Sequence, residues 1–449
     1  MANTLIVPGV QVSVVKDVLP QQLAPSGVLG LIGFTAIVPA EVERASSLNR
    51  LTEVFGTATV LSLPEARQAL DNGVSELVIS PLQVADRIGA TAKVKLTIKD
   101  GSTTLGSPIV VAARAPGPWG NKLQVVVAVR DTAKQIVDLK IVRDQQDLEV
   151  FRNVAVGQIA ATLNSDSQLV VVPDPAPSDA VDGDKLQGGK DASADAYKAA
   201  IDRLRNEADV DLVLAAVQDF GNADTVVEIY SAVISHCNNM ADAAKGRIGF
   251  GQVPPATSSQ NAVTMASKLI SDRFVLLAPS GVAGATAGLV GNLTYFYSPT
   301  FKVVTGLKAQ KIDVEDQKAL LRGYVVPVAF EQGKGTIVLR GLTTDGDQIS
   351  VRRVADRAVR GVKMLGELFI GRLNNADGRS ALKQKIVEFF LQMQKDGAIV
   401  PSTDGSDPAF KVNVYSSQDD FALGIVRVDI AVRPVRAIDF IYATIKVQN

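Results

Sequence analysis

Hydrophobic positions along the chain change their period from region to region, and each change marks a different kind of structure. Between Gly27 and Ala85, an apolar run from Val28 to Phe34 is followed by a helix predicted over Pro64 to Leu70. Proline stands at that helix's start and Gly73 beyond its end, and the strand Leu77-Val78-Ile79 comes next. From about Thr91 to Val172 the texture turns to short alternating strands, among them Lys93 to Ile98, Leu123 to Val129 and Val137 to Ile141. Turn signals such as Asp100-Gly101 and Pro116-Gly117-Pro118 separate several of them. A Pro/Asp/Ser linker, Pro173 to Asp184, closes this stretch.

Helices and strands then alternate again: a helix from Asp195 to Asn206, the strand Val210 to Leu214, and a helix from Asp224 to about Asn238. Ile248-Gly249-Phe250, a helix from Ser258 to Ile270 and the strand Phe274 to Leu277 follow. Short apolar strands between amphipathic helices predict a mostly parallel sheet covered on both faces, which the β-rich stretch interrupts. Phe274 to Phe301 is free of charge, but its glycines and prolines argue for a strand and a Gly/Ala-rich loop rather than a membrane span. The Gly284-x-x-x-Gly288 pair carries no weight on that reading. From about Gly335 a third region holds a helix over Ser350 to Leu373 and a second over Ser380 to Asp396, striped by Leu382, Ile386, Phe389, Phe390 and Met393.

Both ends of the sequence read as strand. Val10, Gln11, Val12, Ser13 and Val14 alternate apolar and polar, and Gly424 to Pro434 and Phe440 to Asn449 are rich in β-branched residues. Terminal strands leave ladder groups open unless something pairs with them, so these ends predict pairing between chains. The expected fold class is α/β: a central α/β domain (27–90 and 185–334) interrupted by an inserted β-sandwich or barrel (91–184). An α+β C-terminal domain (335–433) follows, with strand arms at 1–26 and 434–449.

With 449 residues the chain is long enough for several cores, and 46 basic against 47 acidic residues give no reason to expect DNA or an anionic membrane as a partner. A lone cysteine, Cys237, allows no intramolecular disulfide and fits assembly in a reducing compartment. Met1 to Val15 also lacks the pattern of a secretion signal.

Catalytic chemistry is poorly supplied. His236 and Cys237 are helix neighbours pointing about 100° apart, a poor metal or thiolate–imidazole pair. Asp211, His236 and Ser280 occur in an order known from serine hydrolases, but Ser280 lacks a Gly-x-Ser-x-Gly elbow. Gly333-Lys334-Gly335-Thr336 and Gly188-Gly189-Lys190-Asp191 each lack the first glycine of a phosphate loop. No catalytic, cofactor-binding or metal residue is therefore nominated. The basic residues Arg353, Arg357 and Arg360, with Asp356 four places from Arg352 and Arg360, are expected to make surface contacts between subunits.

The ordered landmarks resemble the tail sheath proteins of contractile phage tails and related injection machines. They include Pro8-Gly9-Val10-Gln11-Val12, Gly30 to Phe34, Ala69-Leu70-Asp71-Asn72-Gly73, Pro116 to Leu123, Leu186 to Asp191, Ser350-Val351-Arg352-Arg353 and Arg433 to Ile441. Gly341 to Thr344 and Thr300 depart from the family pattern and leave only local loops in doubt. The resemblance implies a helical polymer around a tail tube, a central domain of subtilisin-like fold without protease activity, and arms that each add a strand to a neighbour's sheet. It implies as C-terminal arm contacts Phe440, Ile441, Ala443, Ile445 and Val447, and as tube-facing candidates Lys383, Lys385 and Lys395 on the second C-terminal helix. The implied partners are further copies of the chain, the tube protein, and baseplate and tail-terminator proteins, with neither nucleic acid bound directly nor a membrane entered. The implied location is a virion tail or phage-tail-like particle assembled in bacterial cytoplasm. An α/β hydrolase with a β accessory domain and a non-contracting helical shell stay open as alternatives.

Overall fold

The computed structural model describes residues 27–443. The arm candidates Val10, Gln11, Val12, Ser13, Val14, Ile445 and Val447 lie outside the described residues. Val28–Gly33 (β1), Glu43–Ala45 (β2) and Glu76–Pro81 (β3) come first, with Leu48–Phe55 (α1), Thr59–Ser62 (α2) and Pro64–Asp71 (α3) between the second and third strands. An excursion follows: Lys93–Leu96 (β4), Lys99–Asp100 (β5), Thr103–Thr104 (β6), Ile109–Ala113 (β7), Leu123–Asp131 (β8), Ile136–Arg143 (β9), Gln146–Ala155 (β10), Ile159–Asp166 (α4) and Val170–Val171 (β11). The chain then resumes its alternation with Ala194–Arg203 (α5), Leu212–Ala215 (β12), Ala223–Asp242 (α6), Ile248–Gln252 (β13), Ser259–Ser267 (α7), Phe274–Ala278 (β14), Ala283–Asn292 (α8), Val314–Arg322 (α9), Val325–Glu331 (β15) and Gly335–Val338 (β16). Ile349–Glu367 (α10), Ala376–Lys395 (α11), Phe410–Tyr415 (β17), Gln418–Ala422 (α12) and Arg427–Val432 (β18) complete it.

The central sheet has eight strands in the order β16-β15-β14-β13-β12-β1-β3-β2. Strands β15 through β3 run parallel, and β2 and β16 are antiparallel at the two edges. Successive side chains of a strand face opposite ways, so Leu29 and Leu31 join one core with α3 and α8, and Val28 and Ile32 join the other with α5 and α6. Strand β16, which falls within the stretch expected as the C-terminal domain (335–433), pairs with β15 and belongs to this sheet.

The excursion has its own core around Val94, Val111, Leu139, Ile141 and Leu163, beneath three-stranded sheets β10-β9-β8 and β11-β7-β4. In the C-terminal part, Leu382, Ile386, Phe390 and Met393 of α11 are buried against α10 and the β17–β18 hairpin. The predicted stripe is present, although Phe389 is only partly buried. Helix α10 stops before the predicted Leu373, because three-residue turns from Leu368 onward lead into Gly371, whose φ is +82°.

The stretch expected to be a Gly/Ala-rich loop is the buried helix α8. A Cβ on Gly284 would stand 2.5 Å from the Cα of Glu65, and one on Gly288 would run into the backbone of Ala69. The spacing that carried no weight in the sequence is therefore what lets α8 and α3 cross backbone to backbone.

Candidate assembly surfaces

In an open parallel sheet a ligand crevice forms at the carboxyl ends of the strands where strand order reverses, here between β1 and β12. The excursion packs into this place. Gly117, at φ +111°, passes so close that a Cβ would stand 2.9 Å from the Phe34 ring and 3.0 Å from Oε1 of Gln218. Gln218 accepts from Trp119 N–H at 3.3 Å and donates to the Ser62 carbonyl at 2.6 Å. The Asp191 carboxylate accepts N–H bonds of 2.8 Å from Ala192, Gln218 and Asp219, and lies 3.0 Å from the Tyr197 hydroxyl. Burial nonetheless pushes its pKa up, against the pull of these donors. Asn121 and Gly189 exchange a pair of hydrogen bonds that tie the two segments together. The motifs around Pro116–Leu123 and Leu186–Asp191 thus tie the excursion to the central sheet.

The three residues in hydrolase order do not converge. Asp211 precedes β12, at the amino edge of the sheet, where it accepts from the N–H groups of Gly27 and Val28. Ser280 follows β14 at the carboxyl edge. His236 is buried 2.7 Å from the Arg247 guanidinium, and burial, with that charge beside it, lowers its pKa to about 4. Burial pushes the neighbouring Cys237 thiol up to about 12.

The arginines expected at a subunit surface make contacts inside the chain. Arg353 is buried and donates to the carbonyls of Val290 at 2.7 Å and Leu293 at 3.0 Å, with Asp211 3.8 Å from its other terminal nitrogen. Arg357 lies over the Tyr295 ring at 5.5 Å. Arg360 donates to the carbonyls of Ala208, Val210 and Gly246 at 3.2, 2.8 and 2.8 Å. Asp356 is no surface charge either: its two oxygens each accept from Arg273 at 2.9 Å, and Arg352 stands 3.2 Å away. Gly246 is required here, because a Cβ would overlap the Asp356 carboxylate. Carbonyls presented just before β12 and β13 suit the fixed fork of a guanidinium, so α10 is fastened across the amino edge of the central sheet. The sequence displays the arginine density but not the carbonyls it meets.

Lys383 and Lys395 are exposed on α11, while Lys385 is partly buried, 3.4 Å from Glu388. Beside this helix lies the antiparallel hairpin β17–β18, a sheet of two strands only. Its Phe410, Val412, Val414, Val428, Ile430 and Val432 pack toward α11, with Phe410 stacked on Phe390 at 5.4 Å. Neither outer edge of the hairpin carries a ladder partner among the described residues. The chain beyond it lies along its own body to Asp439 and then stands clear: Phe440 is 64%, Ile441 85% and Tyr442 94% exposed, and Ala443 is exposed too. The hairpin as a platform was not legible in the sequence, where only β18 was anticipated.

Among the described residues no cluster of His, Cys, Asp or Glu has a metal-binding arrangement, and no helix is long and apolar enough to cross a membrane. No curated protein matches the chain. Three solved structures share its fold. The sheath tail protein of Desulfitobacterium hafniense is 14% identical with a TM-score of 0.51, over 95% of this chain and 100% of its own. The helical sheath of the anti-feeding prophage in its contracted state is 15% identical with a TM-score of 0.57, over 99% of each chain. The contracted PVC sheath of an extracellular contractile injection system is 12% identical with a TM-score of 0.58, over 99% of this chain and 98% of its own. Residues 343–448 match the family model of the phage tail sheath C-terminal domain. The C-terminal quarter of the chain is thus similar to the phage tail sheath C-terminal domain, and along nearly its whole length the chain follows the fold of solved sheath proteins.

Proposed function

We propose that the chain is the structural subunit of a contractile tail sheath, polymerising helically around a tail tube and shortening to drive that tube through a cell envelope. The observation that carries this reading is the β17–β18 hairpin, a two-stranded sheet whose edges are both open among the described residues, next to exposed C-terminal residues. The hairpin is held by its apolar face on α11, and strands added along its edges would pair the ladder groups left open there. In this reading the N-terminal segment around Val10–Val14 and the C-terminal segment from Phe440 onward are the strands donated to neighbouring copies. Ile441, Ala443, Ile445 and Val447 share one face of such a strand. Rigid bodies can then turn and slide against each other while the ladders persist, with no nucleotide to hydrolyse.

The central domain is read as subtilisin-like with its site blocked, and the excursion as an inserted β-sandwich or barrel that closes the crevice. Lys383 and Lys395, with Lys385 beside them, are the proposed contacts to an acidic tube surface, and baseplate and tail-terminator proteins would hold the two ends. Such a particle would assemble in a bacterial cytoplasm and act as a virion tail or tail-like injector. Electron microscopy of the purified protein tests the reading. Hollow striated cylinders that vanish when Met1–Lys16 or Phe440–Asn449 is deleted support it; scattered globules, or cylinders indifferent to both deletions, refute it. Charge reversal at Lys383 and Lys395 should weaken co-assembly with tube, and unchanged co-assembly removes them as contacts.

A further inference from the structure

The C-terminal tail does not come free where the hairpin ends. Val400 N–H donates to the Arg433 carbonyl and Val435 N–H to the Ala398 carbonyl, both at 3.0 Å. Gln348 then grips the next segment from both sides: its Oε1 accepts from Ala437 N–H at 2.9 Å, and its Nε2 donates to the Ala437 carbonyl at 3.1 Å and to Asp439 at 2.9 Å. Arg340 donates to the same Asp439 oxygen at 2.8 Å and lies over the Phe440 ring at 5.0 Å. The Asp439 side chain is 7% exposed, whereas every residue from Phe440 to Ala443 is exposed. Arg436 adds an ion pair of 2.8 Å with Asp347, beside Gln348.

We propose that Arg340, Gln348 and Asp439 form a clamp that seats the root of the C-terminal arm and passes load from it into α10. The inference rests on the strand-donation reading and deepens it. Gln348 directly precedes α10 in the chain, and α10 is fastened by Arg360 to carbonyls at the amino edge of the central sheet and by Arg353 to carbonyls at the end of α8. Tension on a donated strand therefore reaches the central sheet through side-chain hydrogen bonds rather than through the hairpin alone. The swivel between neighbouring copies lies beyond Asp439. Residues 434–439, expected from the sequence to belong to the arm, act as part of the body.

Trypsin supplies the test, because Arg433 precedes proline and Arg436 is the remaining cleavable residue in the clamped segment. In the unassembled full-length protein, cleavage after Arg436 should be slow. It should accelerate about tenfold or more in Gln348→Ala and in Asp439→Asn, as expected when hydrogen bonds holding a segment are removed and cleavage tracks local opening. The global unfolding midpoint should stay in place. Should Gln348→Ala disturb folding through its place at the helix start, Asp439→Asn at the far side of the clamp decides. Equal cleavage in parent and Asp439→Asn overturns the clamp. Cylinders of Asp439→Asn that form as abundantly and contract as completely as those of the parent overturn the load path. Normal assembly after deletion of Phe440–Asn449 strikes at strand donation instead and leaves the cleavage comparison standing.

Discussion

Glu65 offers the sharpest quantitative test of the packing between α3 and α8. It occupies the first turn of α3, where a helix N-terminus favours an ionised carboxylate, yet it is buried beneath the glycine face of α8. Burial raises its pKa from 4.5 to about 7; its own backbone N–H pulls the other way, and the nearby Asp191 charge adds to the rise. The folded state therefore holds a proton that the unfolded state has released, so stability is fully present below about pH 4.5 and is lost as pH rises toward 7. The difference corresponds to roughly 3 kcal/mol at pH 8 and above. Glu65→Gln keeps the shape and removes the titration. Its stability should equal that of the parent near pH 4 and exceed it by about 3 kcal/mol at pH 8. Urea unfolding of unassembled protein from pH 4 to 9 measures this. Fluorescence of the single tryptophan, Trp119, reports it from the adjoining domain junction. Stability curves that run parallel across this range would refute the argument.

Asp356→Ala leaves Arg273 and Arg352 without their shared carboxylate in a buried setting and should cost about 3–5 kcal/mol by urea unfolding; a loss under 1 kcal/mol would mean α10 is not fastened as described. Gly288→Ala should destabilise by about 1–3 kcal/mol because the new methyl meets the α3 backbone, whereas Gly366→Ala in α10, which meets nothing within 4 Å, should stabilise by about 0.5 kcal/mol. Equal effects of the two changes in thermal unfolding would contradict the close helix crossing. His236, held neutral with a pKa of about 4, gains its proton on unfolding, so its contribution of at most about 3 kcal/mol is lost as pH falls from 6.5 toward 4. In His236→Gln that acid-side loss should shrink, and an unchanged acid limb of the stability curve would count against it.

Strands β1, β12, β13 and β14 and the helices between them were legible because a buried parallel sheet needs continuous apolar runs and its helices need a repeating stripe. Both signals are local properties of a segment, as is the α11 stripe of Leu382, Ile386, Phe390 and Met393. Contacts whose second partner is remote stayed hidden. Arg353 and Arg360 look like surface charges until the carbonyls of Val290, Val210 and Gly246 are brought to them. Gly284 and Gly288 look like loop residues until α3 lies against them, since a missing side chain has meaning only beside the backbone that needs its space. The same holds for Gln348 and Asp439, ordinary polar residues 91 positions apart that become a clamp on folding. Periodicity along one segment thus decided which elements form, and where backbone carbonyls and charges meet was decided by packing between distant ones, which no local pattern encodes.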